Sequence, residues 1–272
     1  MNTATITDTE FSRFQRFIYD AAGITLSPAK KAMVSGRLSK RLQANHLNSY
    51  TEYFALLKSG KSATEVQTAI DLLTTNETYF FREPKHFDLL HKLAATAAAT
   101  PGAGRQPFRV WSAASSTGEE CYSIAMVLAD CLGNSAWDVL GTDISARVLQ
   151  RARTGHYPLE RTEHIPPAYL KRFCLKGNDE QKGTLLIERQ LRSRVSFSQV
   201  NLNSDLPQLG NFDVIFLRNV MIYFNADTKQ KVVARVLAQL KPGGHFCIGH
   251  SESLNEISTA VRQVAPSIYC KL

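Results

Sequence analysis

No stretch of this 272-residue chain reaches the roughly 18 consecutive apolar residues that a membrane-spanning helix needs. The opening Met1-Asn-Thr-Ala-Thr-Ile-Thr-Asp8 has neither a basic nor an apolar segment, so no secretory signal is expected. Cysteine is sparse, with five residues at 121, 131, 174, 247 and 270 and no Cys-x-x-Cys pair. That pattern argues against a disulfide framework and for reduced thiols in a cytoplasmic protein. Internal repeats and low-complexity tails are absent. No Gly-x-Gly-x-x-Gly, no Ser-His-Asp arrangement and no paired catalytic carboxylates stand out, and His245 and His250 lack metal-ligand spacing, so no metal is expected. Acidic residues are outnumbered: the net charge is +8 and the isoelectric point near 9.3, which calls for an acidic partner or a nucleic acid.

The first hundred residues predict four short helices. Thr7-Asp-Thr-Glu10 is a capping box ahead of the stripe Phe11, Phe14, Ile18 and Ala21, and Gly23 closes that helix. Ser27-Pro28 starts a second helix running to about Ala44. Ser49-x-x-Glu52 and Ser62-x-x-Glu65 repeat the signature ahead of the third and fourth. On the second helix Val34, Leu38 and Leu42 form the buried stripe, and Lys30, Arg37, Lys40 and Arg41 cluster beside it. Acidic residues are nearly absent between 27 and 51, so this cluster reads as a docking surface for an acidic helix or for phosphates. Thr74 to Pro84 joins the bundle to a helix beginning at Pro84, and the turn formers of Thr100–Pro107 lead onward.

From residue 108 strands and helices alternate, which predicts an α/β fold with a mainly parallel sheet and crossover helices. Strands are expected at 108–111, 137–142, 195–200, 212–217 and 245–249, with a reversed final strand at 267–272. The block from Gly155 to Arg192 breaks the rhythm and reads as a small antiparallel insertion. The domain boundaries expected are 1–84 for the helical bundle, 85–107 for a helix and linker, and 108–272 for the α/β domain with 157–192 inserted.

Ser112 to Gly118 are small residues between a strand and a helix, an arrangement that lets a ligand approach the backbone. Glu119 and Glu120 then open the helix, and they would repel a phosphate. Asp143 ends the second strand about 25 residues beyond Gly118, where a carboxylate accepts the hydroxyls of an adenosine ribose. A nicotinamide cofactor or S-adenosylmethionine would suit that position. The glycine-poor, acidic loop, the Lys241-Pro-Gly-Gly turn with its reversed last strand, and the polar Arg218-Asn219 after the fourth strand favour the methyl donor.

Four motifs carry a resemblance: Asn76-Glu-Thr-x-Phe-Phe-Arg-Glu-Pro84, Trp111-Ser-Ala-Ala-Ser-Ser-Thr-Gly-Glu-Glu120, Arg218-Asn-Val-Met-Ile-Tyr-Phe224 and Gly249-His-Ser-Glu252. With them the chain resembles the CheR family of chemoreceptor glutamate O-methyltransferases over nearly its whole length. The resemblance implies a helical N-terminal domain, a Rossmann-like seven-stranded methyltransferase domain with a β insertion, and S-adenosyl-L-methionine as cofactor, released as S-adenosyl-L-homocysteine. It implies cofactor contacts at Asn76, Thr78, Arg82, Glu119, Asp143, Asn201, Leu202, Arg218 and Asn219, with Glu119 on the ammonium group and Glu120 left as a helix-terminus charge. Arg82 and Tyr223 would flank the transferring methyl. The implied partner is the cytoplasmic domain of a methyl-accepting chemoreceptor, whose acidic helices Lys30, Arg37, Lys40 and Arg41 would complement. In one branch the insertion also binds the receptor's C-terminal peptide; here the Gly177–Gly183 loop lacks that branch's central glycine.

Two rival readings differ in class. A nucleic-acid methyltransferase would present Asn/Asp-Pro-Pro-aromatic after the fourth strand or a nucleophilic cysteine, and this chain has Arg218-Asn-Val-Met instead. A cofactor-binding scaffold would not need Arg82 and Tyr223. No nucleic-acid partner and no membrane insertion are therefore expected.

Overall fold

In a computed structural model the structure describes residues 5–100 and 106–272. The expected loop over residues 101–105 and residues 1–4 of the N-terminus lie outside the described residues. The helical domain comprises α1 (Asp8–Ala22), a 3-10 turn (Pro28–Lys30), α2 (Lys31–Ala44), α3 (Tyr50–Lys58) and α4 (Ala63–Leu73). The capping box forms as read: Glu10 N donates to Thr7 Oγ1 at 3.2 Å, and Glu10 Oε2 accepts from Thr7 N at 2.9 Å. The second oxygen of Glu10 accepts from the backbone and hydroxyl of Thr51, so one carboxylate caps α1 and ties it to α3. Phe14, Tyr50, Tyr53, Val34 and Leu38 fill the centre of this bundle.

The rest is one α/β unit. Helix α5 (Pro84–Ala99) precedes β1 (Phe108–Ala113), α6 (Glu119–Leu132), β2 (Trp137–Asp143) and α7 (Ala146–Thr154). Beyond the insertion come α9 (Arg189–Arg192), β6 (Val195–Gln199), β7 (Phe212–Leu217), α10 (Ala226–Ala238), β8 (Leu240–Ile248), β9 (Val261–Ala265) and β10 (Ile268–Lys271). The sheet order is β6-β2-β1-β7-β8-β10-β9. Strands β6, β2, β1, β7 and β8 run parallel, and β10 and β9 are antiparallel. Side chains alternate across the sheet as a period of two requires. Val110, Val139, Val214 and Cys247 face α5 and α6, while Trp111, Leu140, Ile215 and Phe246 share the other face with α10.

Strand β9 has no counterpart in the sequence reading. Its residues Val261-Arg-Gln-Val-Ala265 lie on an exposed edge, so they carry no buried alternation to betray them. Strand β8 also begins earlier than expected, because Lys241-Pro-Gly-Gly244 runs inside the strand at a bulge opposite Phe212–Val214 instead of as a turn before it. The insertion is a three-stranded antiparallel sheet of order β3-β5-β4, with β3 at His156–Pro158, β4 at Cys174–Lys176 and β5 at Thr184–Ile187, plus α8 at Pro167–Phe173. Leu90 and Ala94 of α5 pack with Leu128 of α6, so α5 belongs to the core of the α/β unit.

The two domains are stitched together at the carboxyl edge of the sheet. Asp71, near the end of α4, caps α7 across the boundary, accepting from Ala146 N at 3.1 Å and Arg147 N at 3.3 Å. Thr25 N donates to Tyr223 O at 2.8 Å, and Ile24 bridges Phe224. Loss of a helix-capping carboxylate costs about 1–2 kcal/mol. Asp71→Ala should lower unfolding stability by about that amount in denaturant titrations; an unchanged midpoint would show that the cap contributes nothing to the junction.

Candidate active site

At this junction lies a cleft, partly open to solvent, lined by the sheet edge, the linker and the helical domain. Its floor is the loop between β1 and α6. Ala114 and Ser116 adopt left-handed backbone, with φ of 68° and 49°, and Gly118 follows at 95°. Glycine takes such backbone without steric cost, whereas Ala114 and Ser116 are strained there. The turn aims Ser116 N at Asp143 Oδ2 (2.9 Å), and Ser145 N holds Oδ1 (2.9 Å). A carboxylate has about four acceptor positions, so Asp143 keeps two for hydroxyl donors from the cleft it lines. Burial pushes its carboxyl above the usual carboxylate range, and donated hydrogen bonds would offset that. Beside it Ser115 Oγ is buried without a partner, an orphan hydroxyl on the cleft wall. Two satisfied amides and one unsatisfied hydroxyl fit a polar ligand such as the ribose of S-adenosylmethionine.

The two glutamates take opposite places from those expected. Glu119 is fully buried, accepts from Arg161 NH2 at 2.7 Å and from Thr117 Oγ1 at 2.6 Å, and lies outside the cleft lining. Glu120 lines the cleft, accepting from Ser112 Oγ (2.7 Å) and Arg218 Nε (2.6 Å). Neighbouring positions on a helix point about 100° apart. Only one of the pair can face the ligand, and sequence alone does not say which. Glu119, expected to meet an ammonium group, therefore does not line the cleft, and Glu120 does.

Arg218 closes β7 and is the hub of the site. Its NH1 donates to Arg82 O at 2.6 Å and to His86 Nδ1 at 3.1 Å, and it sits over the rings of Phe87 and Phe216. Glu83 lies within 3.5 Å of it. An arginine only donates, so His86 Nδ1 is an acceptor and its Nε2–H points to Ser267 Oγ at 2.9 Å. His86 is thereby locked neutral, and burial, with Arg218 beside it, pushes its pKa down to about 4. Glu83, His86 and His250 bring their polar atoms within 4.8 Å of one another, but the guanidinium already supplies the positive charge there. Next in sequence, Asn219 has left-handed backbone (φ 58°), and Glu252 Oε2 accepts from Asn219 N and Gly249 N at 2.9 and 2.7 Å. The Gly-His-Ser-Glu motif thus fixes the end of β7. Glu83 and His86 escaped the sequence reading because their partner Arg218 lies more than a hundred positions away, and Ser115 because nothing local marks a hydroxyl left without a partner.

The linker forms the opposite wall. Ser116 Oγ donates to Asn76 O at 2.9 Å, and Phe81 N donates to Ser123 Oγ at 3.0 Å. Asn76, Thr78 and the half-buried Arg82 line the cleft there, with the Arg82 guanidinium over the exposed ring of Tyr79. From the strand side come Asn201, Leu202, Asn219 and half-buried Tyr223. Asn201 Nδ2 donates to Ala21 O at 2.7 Å, leaving one donor and one acceptor free. The helical domain adds Ala22 and Ile24. Eight of the nine expected cofactor residues, all but Glu119, therefore converge on one cleft.

The expected docking cluster on α2 is divided. Arg37 donates to the carbonyls of Leu72 and Thr74 (3.0 and 2.8 Å), satisfying the end of α4. Arg41 pairs with buried Glu65 at 2.6 Å, which also accepts from Tyr53. Both arginines hold the bundle together, and only Lys30 and Lys40 of the four stand exposed.

Comparison with known proteins agrees with this geometry. Residues 76–270 match the family model described as CheR methyltransferase, SAM binding domain, and residues 9–74 match CheR methyltransferase, all-alpha domain. This chain belongs to the CheR methyltransferase family. It is 41% identical to a chemotaxis protein methyltransferase 2 of Pseudomonas aeruginosa over 96% of its own length and 92% of the relative's. Identity is 39% to the Escherichia coli chemotaxis protein methyltransferase, covering 97% and 91%. For that of Borreliella burgdorferi it is 36%, covering 98% and 95%. The CheR-family chain is thus an S-adenosylmethionine-dependent methyltransferase, and among its described residues no helix is long and apolar enough to cross a membrane.

A buried histidine with a depressed pKa favours the fold when neutral. That stabilisation is complete above the ordinary value of 6.5 and is lost as pH falls toward about 4. The expected loss is about 2–3 kcal/mol. His86→Gln should flatten this part of the stability–pH profile measured by denaturant unfolding; an identical slope in the variant would contradict the assignment.

Proposed function

We propose that this protein, acting in the cytoplasm, transfers methyl groups from S-adenosylmethionine to glutamate side chains on the cytoplasmic helices of a chemoreceptor. S-adenosylmethionine, when bound, supplies a methyl group on a sulfonium centre. In this reading Asp143 takes the ribose hydroxyls, Glu120 takes the ammonium group, and Asn201 and Leu202 take the adenine edge and face. Asn76, Thr78 and Asn219 complete the polar wall, and Arg218 holds the linker to the sheet edge. The acceptor carboxylate enters between Arg82 and Tyr223. A glutamate side chain with a reference pKa of about 4.3 is already ionised at neutral pH, so the protein needs no general base. Orientation is its main contribution to rate. Arg82 aligns the carboxylate, and its half-buried place over Tyr79 keeps the ion pair partly hydrated, which preserves nucleophilicity.

The observation that carries the reading is the pairing of a built polar cradle (Asp143, Ser115, Ser116) with a cleft lined by Arg82 and Tyr223 and, among the described residues, by no proton-accepting dyad. The names of the relatives supply the chemotactic setting. On the docking face, Lys30 and Lys40 are the exposed cations left to meet an acidic helix. The loop between β4 and β5 folds into a 3-10 turn at Asp179–Gln181 and lacks the glycine of the peptide-binding branch.

The test offers radiolabelled methyl donor to receptor cytoplasmic fragments and to nucleic acid. Label on the receptor that mild alkali releases is the expected result, since methyl esters hydrolyse readily. Label on nucleic acid, or none on either, would overturn the proposal. Arg82→Met should lower kcat/KM by about 10- to 100-fold, the loss of one charge-assisted hydrogen bond in the transition state.

A further inference from the structure

The inserted β sheet is fastened to the back of the cleft by two side chains, of which Arg161 carries the charge. Arg161, in the 3-10 turn Leu159–Arg161 that follows β3, reaches out of the insertion to the linker and to the start of α6. Its NH2 donates to Glu119 Oε1 at 2.7 Å and to Thr78 O at 2.9 Å, and its Nε donates to the same Glu119 oxygen at 3.1 Å. Thr78 belongs to the linker that lines the cleft, and Glu119 opens α6 directly behind the loop that cradles Asp143. A second tie runs beside it: Tyr157 of β3 donates its hydroxyl to Thr117 O at 2.7 Å. The packing leaves no room for slack, because a Cβ on Gly118 would stand 2.9 Å from Ala152 Cβ and 3.0 Å from the Tyr157 hydroxyl.

Glu119 shows that this clamp is more than a surface contact. Its side chain has no exposed surface, and its carboxylate takes its charged partner from the insertion alone. A carboxylate so placed is unfavourable unless a cation answers it. The insertion supplies that cation and, with the same guanidinium, fixes the carbonyl of a cleft-lining residue on a different segment. One planar group with several donors can bridge two acceptors in this way; an ammonium would hold them less rigidly.

We propose that Arg161 is a positioning residue for the methyl-donor site, and that the β insertion acts as a structural part of that site by clamping the linker at Thr78 to the start of α6 at Glu119. The proposal rests on the donor reading of the cleft given above. Arg161 touches neither donor nor acceptor; it acts through Thr78 and Glu119.

Calorimetric titration with S-adenosylhomocysteine tests it on the full chain. Arg161→Met should weaken binding by about tenfold or more, the value of one charged hydrogen bond, and should raise KM for the donor while KM for the receptor fragment stays unchanged. Because Arg161→Met strands a buried carboxylate and can impair folding, the deciding variant is Arg161→Met with Glu119→Gln. That pair removes the unanswered charge, so thermal stability should return to that of Glu119→Gln alone while donor affinity stays low, since Thr78 remains unclamped. Arg161→Lys should keep stability yet bind the product more weakly than the unmodified chain. Donor affinity that recovers along with stability in the double variant, or Arg161→Met binding as tightly as the unmodified chain, would overturn the proposal. Asp143→Ala runs alongside: if it too binds normally, the donor reading of the cleft has failed, whereas a weakened Asp143→Ala with an unaffected Arg161→Met refutes the clamp alone.

Discussion

A buried guanidinium is the constraint on which this site depends. Arg218 has 3% of its side chain exposed, and a charge so placed is tolerable only when its donors are all answered. Glu120 answers from α6, the carbonyl of Arg82 from the linker, His86 from α5, and two aromatic faces enclose the rest. These partners come from segments far apart in sequence. Meeting the needs of one cation therefore draws the linker, the first helix of the α/β unit and the end of its central strand to a single point. The cleft is the space left in front of that point.

The cleft has walls of three origins. The sheet edge supplies acids, the linker supplies polar backbone and Arg82, and the helical domain supplies Ala22 and Ile24. The helical domain is held there by Asp71 on α7, by Asn201 on the end of α1, and by the short bridge at Ile24 and Phe224. The helical domain is thus also part of the cleft wall. Strained backbone gathers at the same place: Phe81, Glu83, Ala114, Ser116 and Asn219 all have positive φ without being glycine. Such conformations cost of order 1–3 kcal/mol each, and dense packing around them is needed to hold them.

What was legible in the sequence was what local chemistry determines. The capping box at Thr7 and Glu10, the Ser49 and Ser62 caps, the strand–small loop–helix at 108–130 and the acid at the end of β2 each carry their cause within a few residues. What was hidden depended on partners distant in the chain. Arg37 and Arg41 read as free because Leu72, Thr74 and Glu65, which engage them, belong to another helix. Glu119 and Glu120 read alike until Arg161 and Arg218 claimed one each. Strand β9 gave no sign because an exposed edge needs no apolar alternation.

In the proposed complex the sheet edge, the linker and the helical domain enclose the donor at once. Hydrogen exchange of the backbone amides, measured with and without S-adenosylhomocysteine, tests it most directly. Binding should slow exchange in the loop at 114–116, in the linker at 76–82 and in the segment at 22–25 of the helical domain together. Protection confined to the β1–α6 loop and the end of β2, with the linker and helical domain unchanged, would contradict the account.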